Sequence, residues 1–326
     1  MGNSRAARGG IPASTRHHVA DGGVEMDRTP IIIRVPATTA NLGPGFDVLG
    51  MALGLWNEIR VAPASDLRIH IEGEGASVLP RNERNLVHRA MVRMARHLGR
   101  VLPPVHLSLI NRIPLQAGLG SSSAAIVGGL QAAAAVLAEK VSRDILLRLA
   151  VDVEGHPDNV APAIVRGLVA VAMDEEGPIV ASIPVPEGMR LVVALPDVHV
   201  STETARRLLP VQVSRADAVF NVSRAVLVVQ ALSGGEYALL SRVMADRLHE
   251  PYRKTLIPGY DDVVRAARDA GAAAVAISGS GPALAAFAPR GHEAIARSMV
   301  AAFRQQGVRA RAWVLPVVLP THSPRV

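Results

Sequence analysis

The run Pro114-Leu115-Gln116-Ala117-Gly118-Leu119-Gly120-Ser121-Ser122-Ser123-Ala124 passes without a break into an apolar stretch that reaches Ala138. Its glycines free backbone N–H groups to turn inward toward an anion, and a helix starting at the serines adds the positive end of its dipole. The serine hydroxyls can complete a magnesium shell or bond phosphate oxygens. No Gly-Lys-Ser/Thr ending follows, so this is not a Walker A loop, and the glycine spacing is not that of a dinucleotide-binding turn. Taken by itself the run also reads as a flexible Gly/Ser turn capping a core helix. The apolar stretch from Ala124 is interrupted by Gly128, Gly129 and Gln131, is too short for a membrane span, and reads as a buried helix.

Outward from that loop, hydrophobic periodicity predicts an α+β chain. Upstream, Ile31 to Val35, Leu55 to Pro63, Leu67 to Glu72 and Val105 to Ile110 read as strands, and Pro36 to Gly45 as a turn-rich stretch. Asn85 to Leu98 carries helical spacing and stops at Gly99, a C′ glycine. Downstream, Arg143 to Glu154 reads as a helix ending at Gly155-His156-Pro157. Val165 to Met173 and Met189 to Leu195 are strand candidates bracketing a turn. Helices are expected over Ala216 to Leu232, Gly235 to Arg247 and Asp261 to Ala270. A strand at Ala273 to Ile277 precedes the loop Ser278-Gly279-Ser280-Gly281-Pro282, and a strand-helix-strand closes the chain. The expected division is a disordered leader over 1–28, one domain over 29–170 and a second over 171–326.

Composition bounds the function. The 326 residues suffice for a substantial core, and 49% hydrophobic against 19% charged is a globular balance. With no cysteine, disulfides, thiolate metal sites and a cysteine nucleophile are excluded. The net charge of +7 rests on arginine, Lys140 and Lys254 being the only lysines among 35 basic residues. These arginines form no dense run, and only 3% of residues are aromatic, so solvated helix faces are expected rather than nucleic-acid binding. The region before Met26, which offers an alternative start, lacks the apolar core of a signal peptide, and no membrane partner is expected.

Two further clusters carry chemistry. Glu154-Gly155-His156-Pro157-Asp158-Asn159 packs four functional side chains around a glycine and a proline, poor helix or strand material. Glu154 could hold Mg²⁺, and His156, Asp158 or Asn159 could touch a substrate. The same residues also read as a helix C-terminus with His156 complementing the dipole and Asp158 and Asn159 capping the next turn. In Asn41-Leu42-Gly43-Pro44-Gly45-Phe46-Asp47 the glycines permit close ligand approach and Asp47 could hold an ammonium group; an ordinary tight turn would use the same residues. Arg206 and Arg253 by themselves are surface charges.

In this order, Pro36 to Gly50, Pro114 to Ala125 and Ile277 to Pro282 resemble the three motifs of the GHMP kinase family, the galacto-, homoserine, mevalonate and phosphomevalonate kinases. The likeness runs from about Thr29 to Pro316. It implies an N-terminal domain of ribosomal-protein-S5-like type with a left-handed βαβ phosphate loop, and a ferredoxin-like C-terminal α/β domain. Val35 to Asp47, Glu154 to Pro162, Ser201 to Arg206 and Leu248 to Pro258 resemble the homoserine kinase branch. That resemblance implies ATP as co-substrate bound by Pro114 to Ala124, and Mg²⁺ held by Ser122 and Glu154. It implies L-homoserine as acceptor, with Asn41 and Asp47 on the amino acid, Asp47 facing its ammonium, and Arg206 and Arg253 clamping its carboxylate. His156, Asp158, Asn159 and Thr202 would line the pocket near the reacting hydroxyl.

Such a pocket suits a zwitterion: galactose carries neither charge, and mevalonate a carboxylate only. Phosphoryl transfer depends mostly on positioning and charge neutralisation, so the resemblance favours orientation of the hydroxyl by Asn159 over proton removal by Asp158. The resemblance also implies a homodimer, and a cytoplasmic location is expected, with which the absence of cysteine is compatible. A mevalonate-type kinase of the same family and a non-catalytic ligand-binding relative are the alternatives. The adenine pocket has no signature; Trp56, Asn57, Asn85 and Leu86 are candidates by position.

Overall fold

A computed structural model describes residues 30–320; the expected leader lies outside them. Two sheets form the frame. The first has six strands: β1 (Ile31–Ala40), β2 (Leu49–Pro63), β3 (Arg68–Gly73), β4 (Val105–Asn111), β5 (Leu168–Asp174) and β6 (Gly177–Ile183). The long β2 is central, pairing antiparallel with β1 along one edge and with β4 and then β5 along the other. Only β3 and β4 pair in parallel here. Four helices build on this sheet: α1 (Leu86–His97), α2 (Ser121–Val136), α3 (Arg143–Glu154) and α4 (Pro157–Val165). Helices α2 and α4 pack directly on it, α4 against β1, β2 and β5, and α1 and α3 pack on α2.

The second sheet, in the order β10-β7-β9-β8, is antiparallel throughout: β7 (Arg190–Pro196), β8 (Ala274–Ile277), β9 (Leu284–Phe287) and β10 (Ala310–Pro316). Between β7 and β8 lie α5 (Thr202–Arg207), α6 (Arg215–Gly234), α7 (Tyr237–Val243), α8 (Glu250–Arg253) and α9 (Tyr260–Asp269); α10 (His292–Gln305) joins β9 to β10. Strand alternation sets both cores. Leu191, Val193 and Leu195 of β7 join the core shared with the first sheet, while Val192 and Ala194 pack on the other face with α9 and α10. The two sheets part between Ile183 and Arg190, so β5, which spans the expected boundary at 170, stands in the first sheet.

Helix α2 runs through the core with Ala124, Ile126, Val127, Leu130, Ala132 and Ala133 fully buried. The glycines that break its apolar run are packing devices: a Cβ on Gly129 would lie 2.4 Å from the carbonyl oxygen of Val87 in α1. The helices therefore touch backbone to backbone.

Several expectations change. Pro36 to Ala40 is strand rather than turn, the register of β1 on β2 shifting between Pro36 and Ala37 where proline breaks the ladder. The hairpin strand β6 and the helix α4 are additions, and α7 ends at Val243, short of the expected Arg247. By length and hydropathy alone, the 20 residues of α6 could cross a membrane, which the sequence reading had not credited. Within the fold, however, its Asn221 is buried and hydrogen-bonded to Asp246 at 2.6 Å.

Candidate active site

The phosphate-type loop lies between β4 and α2, with Gly120 as the left-handed N-cap of α2 (φ 67°) and Ser121 to Ser123 in its first turn. Behind it, the second glycine-rich loop braces it. The Ser278 hydroxyl sits 2.7 Å from the Gly118 carbonyl oxygen and 2.8 Å from Thr39 Oγ1, and the Gly279 N–H donates to Ala40 at 3.0 Å. Three segments remote in sequence thus fix one another, so the loop is ordered before any ligand arrives.

Glu154 closes α3, and Gly155 (φ 89°) ends that helix in the left-handed conformation typical of a helix stop. The Glu154 carboxylate accepts from the Ser122 hydroxyl at 2.6 Å and the Ser123 hydroxyl at 2.8 Å. A carboxylate and a hydroxyl at the mouth of an anion loop are hard oxygen donors, the set that suits Mg²⁺ shared with nucleotide phosphates. Among the described residues no three His, Asp or Glu side chains gather to hold a metal by themselves.

The residues after Gly155 do not end in a loop. Pro157 takes N1 of α4, its missing N–H being one that a first turn leaves unused, and Asp158 and Asn159 follow in that first turn. The expectation of poor helix material is corrected: the cluster closes α3 at Glu154 and starts α4 at Pro157. His156 Nδ1 lies 2.7 Å from Asp158 Oδ1. Burial opposes charge on the imidazole, but the hydrogen bond and charge of Asp158, helped by Glu154, outweigh it and raise the His156 pKa above its ordinary value. Asn159 Oδ1 accepts from the hydroxyl of Thr38 at 2.8 Å.

The loop after β1 holds Asn41, Leu42 and Asp47 at positive φ (72°, 46° and 56°), a strained geometry for Leu42 that is held because the residue is fully buried. Asn41 spans the two halves: Oδ1 accepts from the Asp47 N–H at 2.9 Å and Nδ2 donates to the Gly279 carbonyl oxygen at 2.7 Å. Arg206, in the last turn of α5, donates to Asp47 at 3.2 Å. Partial burial raises the Asp47 pKa, an effect the Arg206 charge only partly offsets.

Arg253 is fully buried. Its Nη1 donates to the Gly279 carbonyl oxygen at 3.2 Å, and its guanidinium carbon lies 5.0 Å from the centre of the Phe46 ring. Arg253 Nε has no hydrogen-bond partner among the described residues. His249, stacked on Phe46 at 5.1 Å, bonds the Gly43 carbonyl oxygen through Nε2 and faces Arg253 through Nδ1, at 2.8 and 3.4 Å. Burial keeps its imidazole neutral, so Nε2–H donates and Nδ1 accepts.

One cleft of about 890 Å³ gathers these groups: Asn41, Asp47, Glu154, His156, Asp158, Asn159, Thr202, Arg206 and Arg253, with Leu115 to Ser122 along its floor. Pro114, Ser123 and Ala124 do not line it. Pro114 faces a second cavity of about 530 Å³, Ser123 is covered by Glu154, and Ala124 is core. Of the adenine candidates, Asn57, Asn85 and Leu86 line the cleft and Trp56 does not. Both asparagines also hold backbone: Asn57 Oδ1 accepts from the Arg112 and Ile113 N–H groups, and Asn85 caps α1. Sequence reasoning missed Thr38, His249 and Ser280, whose hydroxyl lies 3.3 Å from that of Thr202. All three stand inside the quoted motifs and carried no role there.

Comparison with known proteins accords with this geometry. Residues 85–167 match the model of the GHMP kinases N terminal domain, and 228–305 that of the GHMP kinases C terminal domain. A homoserine kinase of Moorella thermoacetica is 46% identical over 85% of this chain and 94% of its own length. The crystal structure of homoserine kinase from Cytophaga hutchinsonii is similar with a TM-score of 0.80 and 32% identity, covering 90% of this chain and 96% of that one. An L. major mevalonate kinase in complex with R-mevalonate has a TM-score of 0.70 at 16% identity, over 91% of this chain and 99% of that one, a likeness of fold alone.

Proposed function

Because this chain belongs to the GHMP kinase family, we infer that it transfers the γ-phosphoryl group of ATP to the side-chain hydroxyl of L-homoserine. The observation that carries the substrate is the Asp47–Arg206 ion pair, with buried Arg253 beside it, in the same cleft as the phosphate loop and Asn159. An anion and a pair of guanidinium groups complement the ammonium and carboxylate of an amino acid. In the free protein Asp47 and Arg206 satisfy each other; a zwitterion replaces both halves of that bond. A carboxylate alone would take Arg206 and leave Asp47 unpaired, which is how such a site discriminates against mevalonate.

Backbone N–H groups of Gly118 to Ser122 and the N-terminus of α2 would cradle the triphosphate, and Leu79, Pro80, Leu86 and Val87 offer apolar contact to the base. Ser122 and Glu154 would hold Mg²⁺, which supplies charge neutralisation on the transferring phosphate. The acceptor oxygen bonds to the γ-phosphorus as the bond to the bridging oxygen of ADP breaks, and the hydroxyl proton passes to solvent. Asn159 orients the reacting oxygens; Asp158, hydrogen-bonded to His156, is held in place of a free base. Thr202, beside Ser280, closes the acceptor side.

We place the enzyme in the cytoplasm as a homodimer. The exposed Val219, Val222 and Val226 of α6 favour the latter, and sedimentation measures it. The deciding assay is ADP release with Mg-ATP, comparing L-homoserine with mevalonate, galactose, L-serine and L-threonine. Turnover with homoserine above all others supports the reading, and turnover with another acceptor overturns the substrate pocket.

A further inference from the structure

Asn159 has two chemically opposite ends, and its use depends on which faces the substrates. We propose that Thr38 is a positioning residue that holds the Asn159 amide with its oxygen turned away and its –NH₂ group toward the cleft. The inference rests on the catalytic reading of the cleft given above.

Thr38 lies in β1 and is fully buried, and its hydroxyl donates to Asn159 Oδ1 at 2.8 Å. With the oxygen so engaged, no group among the described residues accepts from Asn159 Nδ2, although the residue lines the cleft. The same Thr38 is tied to the phosphate loop, its backbone N–H donating to the Leu119 carbonyl oxygen at 3.1 Å. Gly120 closes over the pair: a Cβ there would stand 2.0 Å from Thr38 Oγ1 and 3.3 Å from Asn159 Oδ1, so the loop packs directly against both side chains. Electrostatics selects the same orientation. A flipped amide would aim carbonyl lone pairs at phosphate oxygens, whereas the present one aims two N–H donors at a region where negative charge develops.

Asn159 is then a hydrogen-bond donor to the reacting oxygens and takes no proton from the acceptor. Thr38 holds the amide in that orientation, and it does so from the strand that also supports the phosphate loop. The geometry therefore couples the seating of the nucleotide to the aim of one amide.

The test is a double-mutant cycle on the full chain. Thr38→Val preserves shape and removes only the hydroxyl. It should lower kcat about tenfold or more, since small misplacements near reacting atoms are expensive. KM for ATP and homoserine should stay within about twofold, a margin well short of the tenfold change that each ~1.4 kcal/mol brings. Thr38→Ser should restore the rate. In an Asn159→Ala background, Thr38→Val should add nothing, which a general packing role would not produce. Melting temperature checks folding of each variant, with Thr38→Ala replacing the valine form if that one does not fold. Wild-type kcat in Thr38→Val, or a loss that persists on top of Asn159→Ala, overturns the proposal. Unimpaired turnover in Asn159→Ala also overturns it, since nothing is left to position. If the wild type prefers another acceptor, the substrate reading fails while the cycle is run unchanged on that acceptor; an enzyme inert toward every acceptor overturns both.

Discussion

The two ends of the cleft are built by opposite strategies. The phosphate end uses small residues, backbone N–H groups and hydroxyls from one contiguous run, Leu115 to Ser122, closed by a single carboxylate from α3. The amino-acid end uses formal charges drawn from three distant places: Asp47 after β1, Arg206 on α5 and Arg253 on α8. Backbone dipoles suit a ligand common to many enzymes, because they recognise a triphosphate whatever else is bound. Side-chain charges suit the ligand that defines one enzyme, because exchanging them changes which charges a ligand must carry. Substitutions at the first end should therefore damage rate with any acceptor, and those at the second should damage selection.

The sharpest way to break that contrast is Glu154→Gln. It keeps size and removes the charge that Ser122 and Ser123 face, so kcat should fall roughly 10²- to 10³-fold, in the range for losing one preorganised electrostatic contact. The Mg²⁺ concentration for half-maximal rate should rise at the same time, read from a metal titration. A variant with a changed homoserine KM and unchanged metal response would move Glu154 to the other end of the cleft. Arg253→Lys is next. Lysine keeps the charge but lacks the planar fork and the ring contact with Phe46, so kcat/KM for homoserine should fall about 10²-fold, consistent with 2–5 kcal/mol for disrupting a buried charge pair. KM for ATP should hardly move. Equal losses for both substrates would mean that Arg253 supports the fold of the cleft rather than one ligand.

Asp158 stands at the junction of the two ends, and its expected effect is smaller. If positioning and charge neutralisation carry the reaction, Asp158→Asn keeps its hydrogen-bonding shape beside His156 and loses about tenfold or less. A loss as large as that in Glu154→Gln would make Asp158 a general base.

The contrast also explains what the sequence made legible. The phosphate loop and α2 could be read because the residues that act are neighbours, and local chemistry alone pointed to an anion. Helix α4 was misread because Pro157 looks like a breaker, when at N1 it starts a helix and puts Asp158 and Asn159 in the first turn. Strand β1 was cut short at Pro36, where the chain instead absorbs the proline at a register shift. Nothing local separates Arg206 and Arg253 from the other arginines; the ion pair to Asp47 and the burial between Gly279 and Phe46 are tertiary facts. Only family resemblance brought those two into view. Thr38 shows the limit of resemblance too: it lay inside a quoted motif, but its partner is 121 positions away.

The finest test of the junction uses pH, and its sign follows from His156. The folded protein holds this imidazole's pKa above the ordinary 6.5, because contact with Asp158 and the charge of Glu154 outweigh the cost of burial. A raised folded pKa means that the interaction contributes fully to stability below 6.5, where the unfolded chain is also protonated. That contribution is lost as pH climbs through the folded value. His156→Gln should therefore lower Tm more at pH 5.5 than at pH 8.5, relative to wild type at each pH. The two scans need only be compared with each other, so general effects of pH on the rest of the fold cancel. A gap that widens with pH would mean that neutral imidazole is the stabilised form, and the contact with Asp158 would then be a bond from the Nδ1–H of an uncharged ring. In that case His156 would belong with the neutral groups of the phosphate end; a narrowing gap puts it with the charges that select the amino acid.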